Sequence, residues 1–205
     1  MAESFVNVTE GSGKKLHTFA RTIGANAVED EVVVLGEQYL ATYLVAPAAF
    51  ITTATANSHL LQIMAGASLR VRIRRIELHQ VGLATTAALM DTRIYRLTSA
   101  GTGGTTHGLG LLDPADAAAG ASAMTLPTAK GTESSLFALA APYLMQTLAA
   151  SAPLWNPVLA WDFDRPRSKP LTIPAGVTNG IAIKNITAVA GASLFVNVWL
   201  DESNF

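Results

Sequence analysis

Apolar and basic side chains alternate along residues 68–80: Leu69, Val71 and Ile73 against Arg70, Arg72 and Arg74. A period of two is that of a strand with one face in a core and the other turned out. The alternation then slips. Arg75 stands where an inward residue is due, and Ile76 and Leu78 continue on the other parity. An uncorrected slip turns every later side chain to the wrong face, so a β-bulge near Arg74–Arg75 is predicted. The stretch 193–201 alternates as cleanly, with Leu194, Val196, Val198 and Leu200 on one side and Phe195, Asn197 and Trp199 on the other. Two large aromatics on the nominally outer face imply that this face is covered too, by a loop, an arm or another subunit.

Further β runs fall at 38–53, 59–64, 86–98, 158–163, 171–174 and 180–186, with turn signals between them. Pro47 has no N–H to give a ladder, so the first run splits in two or forms a kinked edge. Residues 99–152 read as a long Ala/Gly-rich insertion. Gly101–Thr106 looks like a flexible turn, Asp113–Pro114 is placed to cap a short helix, and 136–148 suits strand or helix, with Pro142 against an unbroken helix. Such a segment is expected to make subunit contacts in part. Residues 1–36 carry sparse large apolar side chains, among them Phe5, Leu16 and Phe19, that no single face collects. They suit an extended N-terminal arm with docking anchors, and equally a disordered tail or a first strand with a long lead-in. The expected organisation is thus an arm (1–36) and a β-sandwich domain (37–205) with an insertion at about 99–152. The fold class is all-β, and jelly-roll-like by analogy.

Composition narrows the function. Of 205 residues, 50% are hydrophobic and 14% charged, against about 25% charged in a typical soluble domain. A surface so poor in charge suits a protein covered by neighbours. The net charge of -1 provides no field to draw in nucleic acid or an anionic membrane, and no run reaches the length of a membrane helix. The chain has no cysteine, which removes disulfides, thiol catalysis and thiolate metal sites. Its four histidines, His17, His59, His79 and His107, lack the spacing of a compact metal site, although His59 and His79 are placed to meet if their strands are neighbours.

Other chemistry is thin. Asp162 and Asp164 beside Trp161 and Phe163 resemble a glycosidase pair or a calcium or sugar site. With Arg165-Pro166-Arg167 following, they more simply close a turn through local ion pairs. No Gly-x-Ser-x-Gly elbow and no phosphate-binding loop is present. Arg70, Arg72 and Arg74, together with Arg93 and Arg96, suggest one basic stripe for an acidic partner. No aromatics interleave them for stacking on nucleic acid. The expectation is a protein with no catalytic residue, no cofactor and no metal, whose partner contacts come from Phe5, Leu16, Phe19, Arg70, Arg72, Arg74, Phe195 and Trp199.

The runs Val6–Leu16 and Gly36–Tyr43 resemble the opening of virion structural proteins of tailed bacteriophages. Lys169–Gly176 and Asn179–Asn185 are similar to the closing strands of jelly-roll virion proteins. What the resemblance implies is a capsid decoration (cement) protein, made in the host cytoplasm and located in the virion. It would assemble symmetrically, with a trimer favoured, and clamp major capsid protein or other virion subunits. The competing reading is a carbohydrate- or receptor-binding sandwich module of a phage tail or fibre, using Trp155 with Asn156 or Trp161 with Asp162.

Overall fold

The structure is a computed structural model that describes residues 18–23, 26–31, 40–81, 84, 88–145, 159–164 and 170–203, with backbone only for those up to 31 and for 135–145. It contains no helix among the described residues, and all of its ladders are antiparallel. The chain divides into two compact units, 1–39 and 40–205. In the first, β1 (Thr18–Ile23) and β2 (Asn26–Glu31) form a hairpin in which Phe19 stands opposite Asp30. This part of the expected extended arm is therefore paired strand. Phe5 and Leu16 lie outside the described residues.

The second unit is a β-sandwich. Its strands are β3 (Thr42–Val45), β4 (Ile51–Thr52), β5 (Ser58–Met64), β6 (Arg70–Gln80), β7 (Ala88–Leu97), β8 (Thr105–His107), β9 (Gly110–Leu111), β10 (Ser122–Thr125), β11 (Glu133–Met145), β12 (Leu159–Asp162), β13 (Leu171–Ile173), β14 (Gly180–Asn185) and β15 (Ser193–Ser203). One sheet runs β11-β7-β14-β5-β10-β8. The other runs β12-β6-β15-β3-β9, with β13 in line with β12 along β6, and β4 in line with β3 along β15. The interruption between β3 and β4 holds Pro47, as its missing N–H requires.

The inward rows of both sheets meet in one core. Val71, Ile73, Ile76, Leu78, Leu194, Val196, Val198 and Leu200 face Leu60, Leu61, Ile63, Met90, Ile94, Ile181 and Ile183, all at most 1% exposed. The bulge in β6 lies where the slip in alternation puts it. Trp199 pairs with Arg75 and Leu200 with Ile73, leaving Arg74 as the extra residue. Both Ile73 and Ile76 therefore point inward. The bulged backbone is used: Arg74 O accepts from Phe163 N at 2.8 Å, between the stretches of β6 that pair with β12 and β13.

The segment read as an insertion differs from that expectation. It supplies β8, β10 and β11 to one sheet and β9 to the other. Asp113–Asp116 is a turn, with Asp113 accepting from Ala115 N through its side chain and from Asp116 N through its carbonyl. The buried Glu202 carboxylate accepts from Gly120 N at 2.9 Å and Ala121 N at 2.6 Å, fastening the Ala-rich stretch to β15. The 136–148 region resolves in favour of strand through Met145, in β11 at the edge of its sheet. Asp91 directs its own N–H and C=O to Thr187 and Ile186 on the β14 side. Its partner Pro142 therefore turns its nitrogen to the open edge, where no ladder bond is lost.

Candidate interaction face and buried polar clusters

The outer face of the seven-stranded sheet is centred on β15. Because Leu194, Val196, Val198 and Leu200 fill the core, Phe195, Asn197 and Trp199 point away from it, and both aromatics are half-buried. In register they stand beside His79, Glu77 and Arg75 of β6, and Trp199 also beside Leu44 of β3. The Arg75 guanidinium lies 6.0 Å from the centre of the Trp199 ring and pairs with Glu77, whose carboxylate is 3.4 Å from His79 Nε2. At the β4 end, Ile51 is buried opposite Leu194, so alternation turns Phe50, 64% exposed, to the Phe195 side. Val81, 40% exposed, follows β6 and donates its N–H to Ser193 O. Among the described residues, the result is an apolar strip with Phe50, Val81 and Phe195 at one end and Trp199 and Leu44 at the other, interrupted by Asn197 and the ionic group around Glu77.

The arginines do not make one basic stripe. Arg70 is exposed at the start of β6. Arg72 and Arg74 converge on Asp201, itself 2% exposed: Arg72 Nε donates to Oδ1 at 2.7 Å, Arg74 Nε donates to Oδ2, and Arg74 Nη1 reaches Asp164 at 2.7 Å. Arg93 and Arg96 lie on β7, in the other sheet. Arg93 is held by Asp91, and Arg96 donates to Thr172 O of β13 at 2.7 Å, tying the two sheets together. Cationic side chains read as a partner surface are thus largely consumed by internal carboxylates and a carbonyl.

The carboxylate pair closes a turn. Asp162 accepts from Asp164 N at 2.9 Å, and Asp164 binds Arg74. Trp161 packs against the core instead of presenting an open platform, which weakens the sugar-binding reading. Trp155 and Asn156 lie outside the described residues. His59 and His79 sit in different sheets, so they do not meet across neighbouring strands. Among the described residues, no three His, Cys, Asp or Glu side chains are grouped to hold a metal.

No protein-family model, curated protein or solved structure matches the chain. The site has to be read from its own geometry.

A second cluster, missed by alternation, lies on the non-core face of the six-stranded sheet. In β5 the register shifts so that Ile183 pairs with Leu61 and Lys184 with His59, making Leu60 a bulged residue. The shift brings His59 to the same face as Gln62. His59 is 0% exposed, with Nε2 at 2.8 Å from Glu133 and Nδ1 in hydrogen-bond contact with Gln62 Nε2. Gln62 Oε1 accepts from Gly101 N at 2.9 Å. Lys184 Nζ bonds the Glu133 carboxylate at 2.9 Å and sits 4.9 Å over the Tyr95 ring. Burial pushes the His59 pKa down and outweighs the opposing pull of Glu133, and the charges of Lys130 and Lys184 add to the depression. Burial pushes Glu133 up, but the hydrogen bonds and charges of Lys184 and His59 outweigh it and leave its carboxyl below the ordinary range.

Beside this cluster is a cleft of about 540 Å³ lined by residues that include Thr52, Thr55, Asn57, Ser58, Leu126 and Lys130. Asn57 (φ 55°) and Leu126 (φ 46°) are the only non-glycine positive-φ residues among those described. Much of the polar lining is spent on the β4–β5 turn: Thr52 Oγ1 accepts from Ala54 N, and Ser58 Oγ donates to Thr55 O.

Proposed function

We propose that this chain is a non-enzymatic virion structural protein of a tailed bacteriophage. In this reading it is a capsid decoration protein that stabilises the head through contacts with major capsid protein and with copies of itself. The observation that carries the reading is the apolar strip on the outer face of the seven-stranded sheet. A sheet face carrying Trp199, Phe195 and an exposed Phe50 gains free energy when a second protein removes it from water, about 25 cal/mol per Å² of apolar surface. Aromatic residues beside an arginine are the composition of interface centres. The low overall charge supports the same reading, and repetition over a shell turns modest contacts into avidity. The jelly-roll connectivity, the trimer and the docking role of residues 1–36 belong to this proposal.

Native mass spectrometry and light scattering on the purified chain test it. A symmetric oligomer is expected, and the pair Phe195→Ser and Trp199→Ser shifts it to monomer while the sheet still melts cooperatively. A wild-type chain that stays monomeric at high concentration and binds glycans instead would favour the tail-module alternative and end this reading.

A further inference from the structure

The proton positions in the His59 cluster are fixed from one end. A backbone N–H only donates, so the Gln62 atom facing Gly101 N is the carbonyl oxygen. Gln62 therefore presents its NH₂ to His59 Nδ1. An NH₂ donates and does not accept, so Nδ1 is a bare acceptor and the ring proton sits on Nε2, facing Glu133. Neutral His59 satisfies each of these contacts, and the imidazolium does not. A proton on Nδ1 meets the Gln62 NH₂, donor against donor. Turning the amide over relieves that clash and creates another, because the NH₂ then meets the Gly101 N–H. His59 is 0% and Gln62 1% exposed, so the mismatch carries close to the full cost of an unmade buried hydrogen bond.

The geometry points to an acid-sensitive latch: protonation of His59, relayed by Gln62, releases Gly101 and the 98–104 connection from the face of the six-stranded sheet. That connection is one half of a ribbon. Thr102 and Ala129 exchange both backbone hydrogen bonds, at 2.9 and 3.1 Å, and Thr98 N donates to Thr132 O at 3.0 Å. The contact with Gly101 has no slack, since a Cβ there would stand 2.6 Å from Ala129 O and 2.9 Å from Gln62 Nε2.

The charged groups around the ring divide. Glu133 of β11 favours the protonated ring, while Lys184 of β14 and Lys130 before β11 oppose it. Tyr95 of β7 lies under Lys184, and Arg93, opposite Lys184 in register, is neutralised by Asp91. Burial is the largest influence and favours the neutral ring, so the latch stays closed at neutral pH and opens below the ordinary histidine range.

NMR on the full chain tests this. Imidazole nitrogen shifts read the tautomer and the titration, and amide exchange reads the protection of Gly101. The expected results are an unprotonated Nδ1 at neutral pH and a Gly101 protection factor that falls by up to about tenfold per pH unit as pH drops from the ordinary histidine value to the lower folded His59 midpoint, the effect of one coupled proton. In Gln62→Glu a carboxylate accepts from both the Gly101 N–H and a His59 Nδ1–H, so protection persists through the titration. An Nδ1–H tautomer at neutral pH overturns the latch. So does wild-type protection that stays constant while His59 titrates, or a Gln62→Glu chain that loses protection as the wild type does. Should that variant fail to fold, the tautomer and the wild-type exchange decide alone.

Discussion

Replacing Asp201 with alanine removes the carboxylate on which Arg72 and Arg74 converge. Asp201 is 2% exposed and Arg72 6%, so both charges were taken out of water to form the pair, and their attraction offsets that cost only while both are present. Removing one partner of such a pair costs about 3–5 kcal/mol. Arg74 is the less affected, because Asp164 holds its Nη1 at 2.7 Å; the loss falls mainly on Arg72. For a chain of this size about 2–4 °C of Tm accompanies each kcal/mol, so Tm should drop by roughly 6–20 °C. Urea unfolding followed by tryptophan fluorescence measures the change, with an unaltered m-value showing that the native state is what lost stability. The double variant Arg72→Met, Asp201→Leu removes both charges at similar volume and should recover most of the loss, since apolar replacement of a buried pair is about neutral. A loss below about 1 kcal/mol for Asp201→Ala, the scale of a solvated surface pair, would refute the reasoning.

Two further outcomes follow from the polar cluster and the ribbon beside it. His59 and Glu133 both have folded pKa values below their ordinary values of 6.5 and 4.5. In each case the unfolded chain binds the proton first, so the stabilisation is fully present above the ordinary value and is lost as pH falls through the folded one. The urea midpoint should therefore decline from neutral into acid, and His59→Gln should flatten the upper part of that decline. Gly131→Ala should cost about 1–3 kcal/mol as an overpacked site, because its Cβ would stand 2.3 Å from Ser99 O, while Gly108→Ala, with no neighbour within 4 Å, serves as the control in the same melt.

The sandwich was legible wherever one face of a strand is apolar and the other is not. β6 and β15 announce themselves by alternation, and the bulge at Arg74 shows as a broken period because Arg75 is too polar for an inward position. β5 hides its own bulge. His59–Met64 is almost continuously apolar, so a shift at Leu60 changes no visible pattern, and His59 and Gln62, three apart, look as if they belong to opposite faces. A glutamine inside an apolar run was the available signal, since a buried amide needs partners. Residues 99–134 misled for a different reason. Glycines and alanines read as flexible, yet Gly101 and Gly131 are small because backbone passes within contact distance of them. Short strands such as β8 and β9 owe their pairing to neighbours far along the chain, and no local pattern encodes that.

Charge bridges the two levels of the problem. The composition shows few ionic groups, and the structure shows where many of them are spent. Asp201 takes two arginines, Glu133 takes Lys184 and His59, Asp91 takes Arg93 and Glu77 takes Arg75. Spacing along β6 made the arginines look like an outward device, because alternation reports which face a side chain occupies and not what waits for it there. Asp201, far away in sequence, converts most of that stripe into internal structure. What remains facing outward on the same sheet is the strip from Phe50 to Leu44, with a single guanidinium lying over its tryptophan. A surface complementary to this strip needs apolar area first, because the guanidinium over Trp199 is already held by Glu77. Among the described residues, the arginine stripe that alone would have suggested an acidic polyanion is largely paired with internal carboxylates.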